Sequence, residues 1–303
     1  MTQDNPSSGK TLDWLADRAL RAMIGGVMKL PYKQRIPAMG AAVTKAIGPL
    51  GGYKKRALKN LAMIYPEMDE AERDRIADGV CDNFGRTLIE NYSYEDFAHH
   101  LQDTQPKGPG LAALEQAIAD QRPVIFVTGH FGNHEAPRQV LVRMGYDVGG
   151  LYRPMANAYF NDHYAKTMTN WGGPVFPQGR KGTMAFARHI GRGGLGTLLF
   201  DVNNDRGHPI PFLGKPALTA LSAAEIALKM NAIMIPYFGI RQADGLNFDV
   251  KVEEPIAHST PETMTAEATQ RLEAQIKRHP EQWFWIHRRW KNKAGKLSEL
   301  GST

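Results

Sequence analysis

Residues 123–145 read PVIFVTGHFGNHEAPRQVLVRMG, and this stretch decides the fold class. Its first seven residues form a short apolar run that ends in glycine, which is typical of a buried β-strand. The residues from Glu135 to Gly145 place apolar side chains at helical spacing and therefore predict a helix. A strand that passes directly into a helix is the repeating unit of sheets that carry helices on their faces.

The same alternation continues downstream of this stretch. Further strands are predicted at residues 147–154, 195–201 and 232–241, and helices at residues 183–193, 218–231 and 264–279. Residues 246–255, LNFDVKVEEP, alternate apolar and polar side chains as a strand at the edge of a sheet does. Together these elements predict an α/β fold in which a mixed central sheet is flanked by helices.

The chain upstream of this sheet is predicted to be helical and amphipathic. Residues 11–30, 35–48 and 53–101 carry apolar side chains at three- and four-residue steps. We therefore expect a helical N-terminal region over residues 1–100 and an α/β domain over residues 101–303, joined in one structural unit.

Positive charge is concentrated at the N-terminus. Residues 1–60 contain eleven Lys or Arg and three Asp, a net charge of +8, whereas the whole chain carries +6. Such a basic end suggests an anionic partner: lipid headgroups, a nucleic acid or an acidic carrier protein. No nucleic-acid recognition motif accompanies the basic residues, so we expect no nucleic-acid binding.

Two alternatives exist for the apolar side of the amphipathic segment at residues 11–30. It lies in a membrane interface with Lys and Arg on its polar face, or it packs on the protein's own core. No run of about 18 apolar residues is present to span a bilayer, and the N-terminus lacks the layout of a signal peptide. We therefore expect the protein on the cytoplasmic face of a membrane, attached peripherally or monotopically.

His130 and His134 are the candidate chemical groups that follow the first predicted strand. Ligands bind beyond the carboxyl ends of strands in open α/β sheets, so His130 is well placed. Two histidines at this spacing on a helix bind zinc in one class of metalloproteases. Here Gly132 separates them, and Glu135 follows the second histidine rather than lying between the two. We therefore expect no metal and no cofactor, and a zinc hydrolase using His130 and His134 is the rival hypothesis.

Acid–base chemistry is the alternative that these residues favour. A catalytic histidine needs a carboxylate that fixes its tautomer and stabilises its protonated form. We expect Glu135, in the first turn of the predicted helix, to supply that carboxylate, and His130 to act as general base toward a substrate hydroxyl. The chain has no G-x-S-x-G motif, so no protein nucleophile is expected.

Four segments carry a resemblance to a known family. GHFGNHE (129–135) resembles the H-x4-[DE] motif of the lysophospholipid/glycerolipid acyltransferase superfamily, and it is most similar to the bacterial lipid A biosynthesis (late) acyltransferase branch. Three further segments resemble that branch in the same order: LYRPMAN (151–157), LLFDVNNDRGHPIPFLGKPALTA (198–220) and PEQWFWIHRRWK (280–291). Any one segment is a weak signal, whereas the ordered set is highly specific.

The resemblance implies a glycerolipid acyltransferase-like fold and a membrane-associated O-acyltransferase of the bacterial inner membrane. It implies transfer of a fatty acyl chain from acyl carrier protein or coenzyme A to a hydroxyl of a lipid acceptor, first of all a lipid A precursor. His134 stands where the branch usually has tryptophan, and residues 201–205 read DVNND where an Asp-Gln pair is common. These departures leave a lysolipid, such as a lyso-aminolipid, as the alternative acceptor.

Four further residues are candidates for substrate binding. Arg153, after a predicted strand, could bind a phosphate or a developing oxyanion through charge-assisted hydrogen bonds, or form a surface salt bridge. Asn157 is expected to support that loop. Asp201 ends a strand at the same sheet edge as His130, and it anchors Arg153 or a polar substrate group unless it is purely structural. Arg180 is expected to contact a headgroup, because FPQGRKG (176–182) is faintly similar to the phosphate-binding segment of the glycerol-phosphate acyltransferases.

Three tryptophans lie beside basic residues near the C-terminus. Trp283, Trp285 and Trp290 accompany Arg288 and Arg289. Both an aromatic belt at a membrane interface and packing of the terminal segment onto the core are open alternatives for them.

Overall fold

A computed structural model describes residues 6–153, 161, 167–169 and 172–291. The N-terminal part consists of α-helices at Pro6–Val27 (α1), Tyr32–Ala42 (α2), Tyr53–Ile64 (α3), Glu70–Tyr92 (α4) and Tyr94–His100 (α5). A π-helical turn at Val43–Ile47 and a helical turn at Gly48–Leu50 continue α2 toward α3. The predicted helical N-terminal extension is therefore confirmed.

The rest of the described chain alternates strands and helices. The strands are Pro106–Lys107 (β1), Val124–Thr128 (β2), Val148–Tyr152 (β3), Val175–Pro177 (β4), Leu195–Leu199 (β5), His208–Phe212 (β6), Lys215–Thr219 (β7), Ile233–Arg241 (β8) and Phe248–Val252 (β9). The helices are Leu111–Ala119 (α6), Ala136–Arg143 (α7), Arg180–Ile190 (α8), Ser222–Met230 (α9) and Pro261–Arg278 (α10).

A seven-stranded sheet in the order β1-β9-β8-β2-β5-β3-β4 forms the centre of the fold. All neighbours pair in parallel except β8 and β9, which are antiparallel. Every residue of β2 is buried, because parallel strands covered by helices on both faces bury both sets of side chains. The mixed α/β fold predicted from the strand–helix alternation is confirmed.

The position of β9 differs from the prediction. Its alternating pattern suggested a strand at the edge of the sheet, but β9 pairs with β8 on one side and with the two-residue β1 on the other. The alternation reflects one buried and one more exposed face, and it carries no information about the neighbour that covers the outer edge.

The helices α3 and α4 share a hydrophobic core with the sheet. Leu61 of α3 and Val80 of α4 belong to the same buried cluster as Ile125 and Val127 of β2. The boundary at residue 100 stays a prediction, and so does the single structural unit. The common core supports the prediction that the two parts form one unit.

The apolar side of α1 packs on the protein. Ile24 is buried, and Leu20, Met23 and Val27 pack around it in a cluster that includes residues of α2 and α4. Of the two alternatives for this segment, packing on the core therefore describes its C-terminal half, whereas Trp14 remains 45% exposed. Within the residues described, none of the helices combines the length and apolar character needed to cross a bilayer.

Candidate active site

The loop after β2 carries His130 and is fixed by backbone hydrogen bonds. The Gly132 N–H donates to Gln282 O over 2.9 Å, and the Phe284 N–H donates to His130 O over 3.0 Å. Gly132 has φ +54°, and a Cβ atom there would lie 1.9 Å from Gly239 O. Only glycine fits this close approach of two backbones, so the loop holds His130 in one place at the carboxyl end of the sheet.

Side chains of α4 hold the same loop from the other side. Asn83 and Thr87 both donate to Gly132 O, over 3.1 and 2.9 Å. Glu90 accepts from Asn133 over 2.8 Å and forms a buried ion pair with Arg241 of β8. The helical N-terminal region therefore contributes directly to the position of the His130 loop.

His130 pairs with the buried Asp201, the second residue after β5. Its Nδ1 lies 2.8 Å from Asp201 Oδ1, and its backbone N–H donates to Asp201 Oδ2 over 2.8 Å. The Trp283 indole N–H donates to the same Oδ2 over 2.9 Å. Because β5 and β2 are parallel neighbours, their carboxyl ends lie side by side, and His130 and Asp201 meet there.

The pair sets the ionisation of both groups. Burial lowers the pKa of His130, but the charge and hydrogen bond of Asp201 outweigh this, so that the pKa ends above its ordinary value. Burial raises the pKa of Asp201, but His130 and the Trp283 N–H outweigh it, so that the pKa ends well below its usual range. An ionised Asp201 accepts from Nδ1–H and leaves Nε2 of His130 as the nitrogen that can take up a proton. Among the described residues, Nε2 has no hydrogen-bond partner.

Glu135 has a different partner from the one predicted. Its Oε2 lies 3.3 Å from Nη1 of Arg138, whose guanidinium also donates to Val148 O and Gly172 O. Glu135 directly precedes α7, and Arg138 follows three residues later. Side chains at this spacing lie on the same face of a helix, so that the two are in contact. The carboxylate hydrogen-bonded to the His130 ring is therefore that of Asp201 and not that of the predicted Glu135.

The other predicted substrate-binding residues have different outcomes. Arg153 lines the cavity described below, whereas the hydrogen bonds of Asp201 go to His130 and Trp283 rather than to Arg153. Arg180 is the exposed first residue of α8 and does not line the cavity. Asn157 lies outside the described residues.

A cavity of about 1040 Å³ opens in front of His130. One side is an aromatic wall, defined here as Tyr53, Phe84 and Phe284. Ring centroids along this wall lie 6.0 Å (Tyr53–Phe84) and 5.3 Å (Phe84–Phe284) apart, and Phe284 lies 5.7 Å from the ring of His130. The cavity is also lined by cationic side chains: Arg56, Arg153, Arg206, Arg288 and Lys291. An apolar chain and an anionic group can therefore be bound beside the same histidine.

The comparison with known families bears on all of these features. The family model described as bacterial lipid A biosynthesis acyltransferase matches residues 2–292. The chain belongs to this family. It is therefore an acyltransferase, and the resemblance seen in the four sequence segments is confirmed.

Individual lipid A acyltransferases are distant in sequence. The chain is 22% identical over 273 residues to the lipid A biosynthesis myristoyltransferase of Escherichia coli, covering 88% of this chain and 83% of that protein. It is 24% identical over 257 residues to a lipid A biosynthesis acyltransferase of Haemophilus influenzae, with 80% and 79% covered. It is 26% identical over 259 residues to the palmitoleoyltransferase of Escherichia coli, with 78% of each chain covered.

The metal alternative finds no support in the described part of this acyltransferase. No three His, Cys, Asp or Glu side chains within the described ranges come together as a group that could bind a metal ion. The Nδ1 atom of His130 is already bound to Asp201. Family membership favours acyl transfer over zinc-dependent hydrolysis.

Two cavity-lining residues of the C-terminal segment were not predicted as site residues. Phe284 and His287 both line the cavity. They belong to the segment PEQWFWIHRRWK, in which only the tryptophans and arginines had been considered. Trp283 and Trp285 of that segment are buried, with their ring centroids 4.9 Å apart, so that packing rather than a membrane belt describes them.

His134 lies next to the His130–Asp201 pair but differs from His130 in ionisation. The two rings are 5.3 Å apart, and Nε2 of His134 lies 4.0 Å from Glu135 Oε1. Burial, and then the charge of His130, lower the pKa of His134 to about 4. His134 is therefore neutral at physiological pH, and no described carboxylate pairs with it as closely as Asp201 pairs with His130.

Replacing His134 by tryptophan is expected to leave most of the activity intact, because His134 lies beside His130 without sharing the Asp201 carboxylate. The measurement is kcat of His134→Trp against wild type in an acyl-transfer assay. A loss as large as that of His130→Ala in a folded variant would show that the base had been assigned to the wrong histidine.

Proposed function

We propose that this acyltransferase moves a fatty acyl chain from an acyl thioester to a hydroxyl of a lipid A precursor, with His130 as general base. The observation that carries the proposal is the His130–Asp201 pair, in which His130 lines a cavity with an aromatic wall and cationic residues. Within a family that acts in lipid A biosynthesis, this arrangement suits a substrate with an acyl chain and an anionic headgroup.

The reaction needs no covalent enzyme intermediate. Nε2 of His130 removes the proton of the acceptor hydroxyl as that oxygen attacks the thioester carbonyl carbon. Asp201 stabilises the imidazolium that results. The tetrahedral intermediate then collapses, the carbon–sulfur bond breaks, and the leaving thiolate takes the proton from His130. The products are an ester and a free thiol.

The donor is either acyl carrier protein or coenzyme A, and the acceptor either a lipid A precursor or a lysolipid such as a lyso-aminolipid. Purified protein supplied with each donor and each acceptor in separate reactions, followed by lipid mass spectrometry, distinguishes the four combinations. Lipid analysis of a deletion strain names the acceptor independently. Acylation of neither acceptor, or of the lysolipid alone, would contradict the proposal.

We also place the protein at the cytoplasmic face of the bacterial inner membrane, held peripherally. Because the apolar side of α1 is partly used for packing, we assign the membrane contact to the Leu50 turn, defined as residues 48–52. Leu50 is 89% exposed, and the exposed Lys45 and Lys55 flank the turn. Tyr53, which follows it, begins the aromatic wall of the cavity. A membrane contact at this turn would bring lipid to the mouth of the site.

Leu50→Glu is expected to weaken binding to anionic vesicles. Burying a leucine side chain contributes about 1.5–3 kcal/mol, so its loss should lower the partition coefficient by roughly tenfold or more. Met144→Glu, at an apolar position 43% exposed at the end of α7, is the matched control and should change binding little. Sedimentation with phosphatidylglycerol and phosphatidylcholine vesicles, at low and high salt, gives the measurement.

Equal losses in the two variants would argue against the Leu50 turn as the contact. Binding to an acyl carrier protein is the competing use of an apolar turn between lysines. It would appear as a raised KM for that donor in Leu50→Glu, with vesicle binding unchanged.

A further inference from the structure

His287 lines the same cavity as His130, and the backbone fixes the position of its proton. The backbone N–H of Asn203 donates to Nε2 of His287 over 2.9 Å. A ring nitrogen that accepts a hydrogen bond carries no proton. The proton of a neutral His287 must therefore be on Nδ1. In this tautomer Nδ1 donates a hydrogen bond and cannot accept a proton.

The ring of His287 is held in a rigid frame. Its backbone N–H donates to Phe284 O over 3.0 Å, and Phe284 in turn donates to His130 O. The side chain of Asn60 donates to His287 O over 2.9 Å. Asn203 is itself fixed, because its side chain donates to Arg289 O and Lys291 O. Both histidines are thus tied to Phe284, on the wall of one cavity.

The surroundings of His287 keep it neutral. Burial lowers its pKa, Asp201 opposes this, and the positive charges of His130, Arg289 and Arg153 lower it further, to about 4. His287 is therefore neither an acid nor a base near neutral pH. What it offers is one N–H group whose direction is set before any substrate binds.

The Nδ1–H group is available for a ligand. No described residue accepts a hydrogen bond from Nδ1 of His287. Some polar side-chain atoms of the protein are fully buried and have no partner, but Nδ1 of His287 is not one of them. It therefore keeps some accessible surface, and His287 is one of the residues that line the cavity.

We propose that His287 is a catalytic hydrogen-bond donor that binds, through Nδ1–H, the oxygen that becomes negatively charged when the acceptor attacks the thioester carbonyl. The assignment rests on the proposed function. A preorganised neutral donor suits this role because it stabilises the charge that forms in the transition state and needs no reorganisation at the moment of reaction. A fixed phosphate, by contrast, is matched by the permanent cations of Arg153, Arg206 and Arg288 in the same cavity.

Two substitutions separate this role from a structural one. Asparagine at 287 can place an amide N–H where Nδ1 lies but loses the acceptor for Asn203. Glutamine can place an amide oxygen where Nε2 lies, and so keeps the acceptor, but has no donor at Nδ1. We expect His287→Gln to fold as wild type and lose roughly 10²–10³-fold in kcat, the range for loss of one oxyanion donor. His287→Asn should retain clearly more activity.

If His287→Gln is as active as His287→Asn or more so, His287 serves only to satisfy the Asn203 N–H, and the proposal is overturned. Thioester hydrolysis by water, measured without an acceptor, distinguishes the two possible ligands of Nδ1–H. These are the oxyanion formed from the thioester carbonyl and a phosphate oxygen of the acceptor. Loss of hydrolysis together with transfer in His287→Gln supports the oxyanion. Unchanged hydrolysis with only a raised KM for the acceptor would assign Nδ1–H to a phosphate of the acceptor and overturn it.

The tautomer is tested without any activity assay. Nitrogen NMR of protein labelled with ¹⁵N-histidine, with His287→Gln used to assign the signals, should show His287 protonated at Nδ1 and not at Nε2 near neutral pH. An imidazolium or an Nε2–H tautomer would overturn the proposal even in a fully active enzyme. If instead no acyl transfer is found for the wild type but the Nδ1–H tautomer is observed, the proposed function fails and the fixed donor stands.

Discussion

His130→Ala is expected to lower kcat for acyl transfer by roughly 10²–10⁴-fold, the usual contribution of a positioned general base. The reason is geometric: Nδ1 is bound to Asp201, and Nε2 is the ring nitrogen available to the acceptor hydroxyl. The measurement is single-turnover transfer from the acyl thioester, so that product release does not mask the chemical step. Treatment of wild type with a metal chelator, in parallel, should leave the activity unchanged.

His99→Ala is the matched control for this variant, because His99 is an exposed histidine of α5 and does not line the cavity. It should be as active as wild type. Stoichiometric zinc in active protein, with activity lost on its removal, would falsify the base assignment and favour a metal site at His130 and His134.

Asp201→Asn should be nearly as damaging, with a loss approaching about 10⁴-fold in kcat if the carboxylate fixes the tautomer as in other histidine–aspartate pairs. An amide can donate to Nδ1 and so favour a proton on Nε2, the nitrogen that must be free to act as base. Glu135→Gln is the matched control and should lose much less at the chemical step, because the Glu135 carboxylate lies against Arg138. A larger loss in Glu135→Gln than in Asp201→Asn would return the orienting role to Glu135.

The pH profile provides a second measure of the same pair. A general base works only when it is neutral, so kcat/KM should fall as the pH drops through the raised pKa of His130. Asp201→Asn removes the charge that raises this pKa. The acidic limb of its profile should therefore move to lower pH while the plateau falls. An unshifted limb would mean that a different group controls the acidic side.

Most helices and strands could be predicted from the sequence, but which strands lie next to each other in the sheet could not. The strand and helix at residues 123–145 were recognised because both faces of β2 are buried and its apolar run is unbroken. The order of strands is not contained in such runs. Asp201 is 71 residues from His130 along the chain, and the two meet only because β5 pairs with β2. Glu135, five residues away, was the obvious local candidate, but it lies against Arg138.

Other differences have equally specific causes. The β6–β7 hairpin was not predicted, because Pro209 and Pro211 interrupt the pattern expected of a strand. The tryptophans of the terminal segment left two alternatives open, and burial of Trp283 and Trp285 decided between them. His287 could not be recognised from its type alone. Its proposed role as a donor depends on a hydrogen bond from the backbone of Asn203, 84 residues earlier in the chain.

The contact between α4 and the His130 loop has an evolutionary consequence. Glu90 is shared by Asn133 of the loop and Arg241 of β8, and all three side chains are buried. Loss of Glu90 or of Arg241 alone leaves the other as a buried charge without its ion-pair partner, and breaking a buried ion pair typically costs about 3–5 kcal/mol. Loss of Glu90 also removes the acceptor of the Asn133 side chain. Single substitutions at these positions should therefore be removed by selection, while compensating sets can persist. Residues 90, 133 and 241 should consequently vary together among descendants of this chain, even as the cavity beside them diverges toward other lipids.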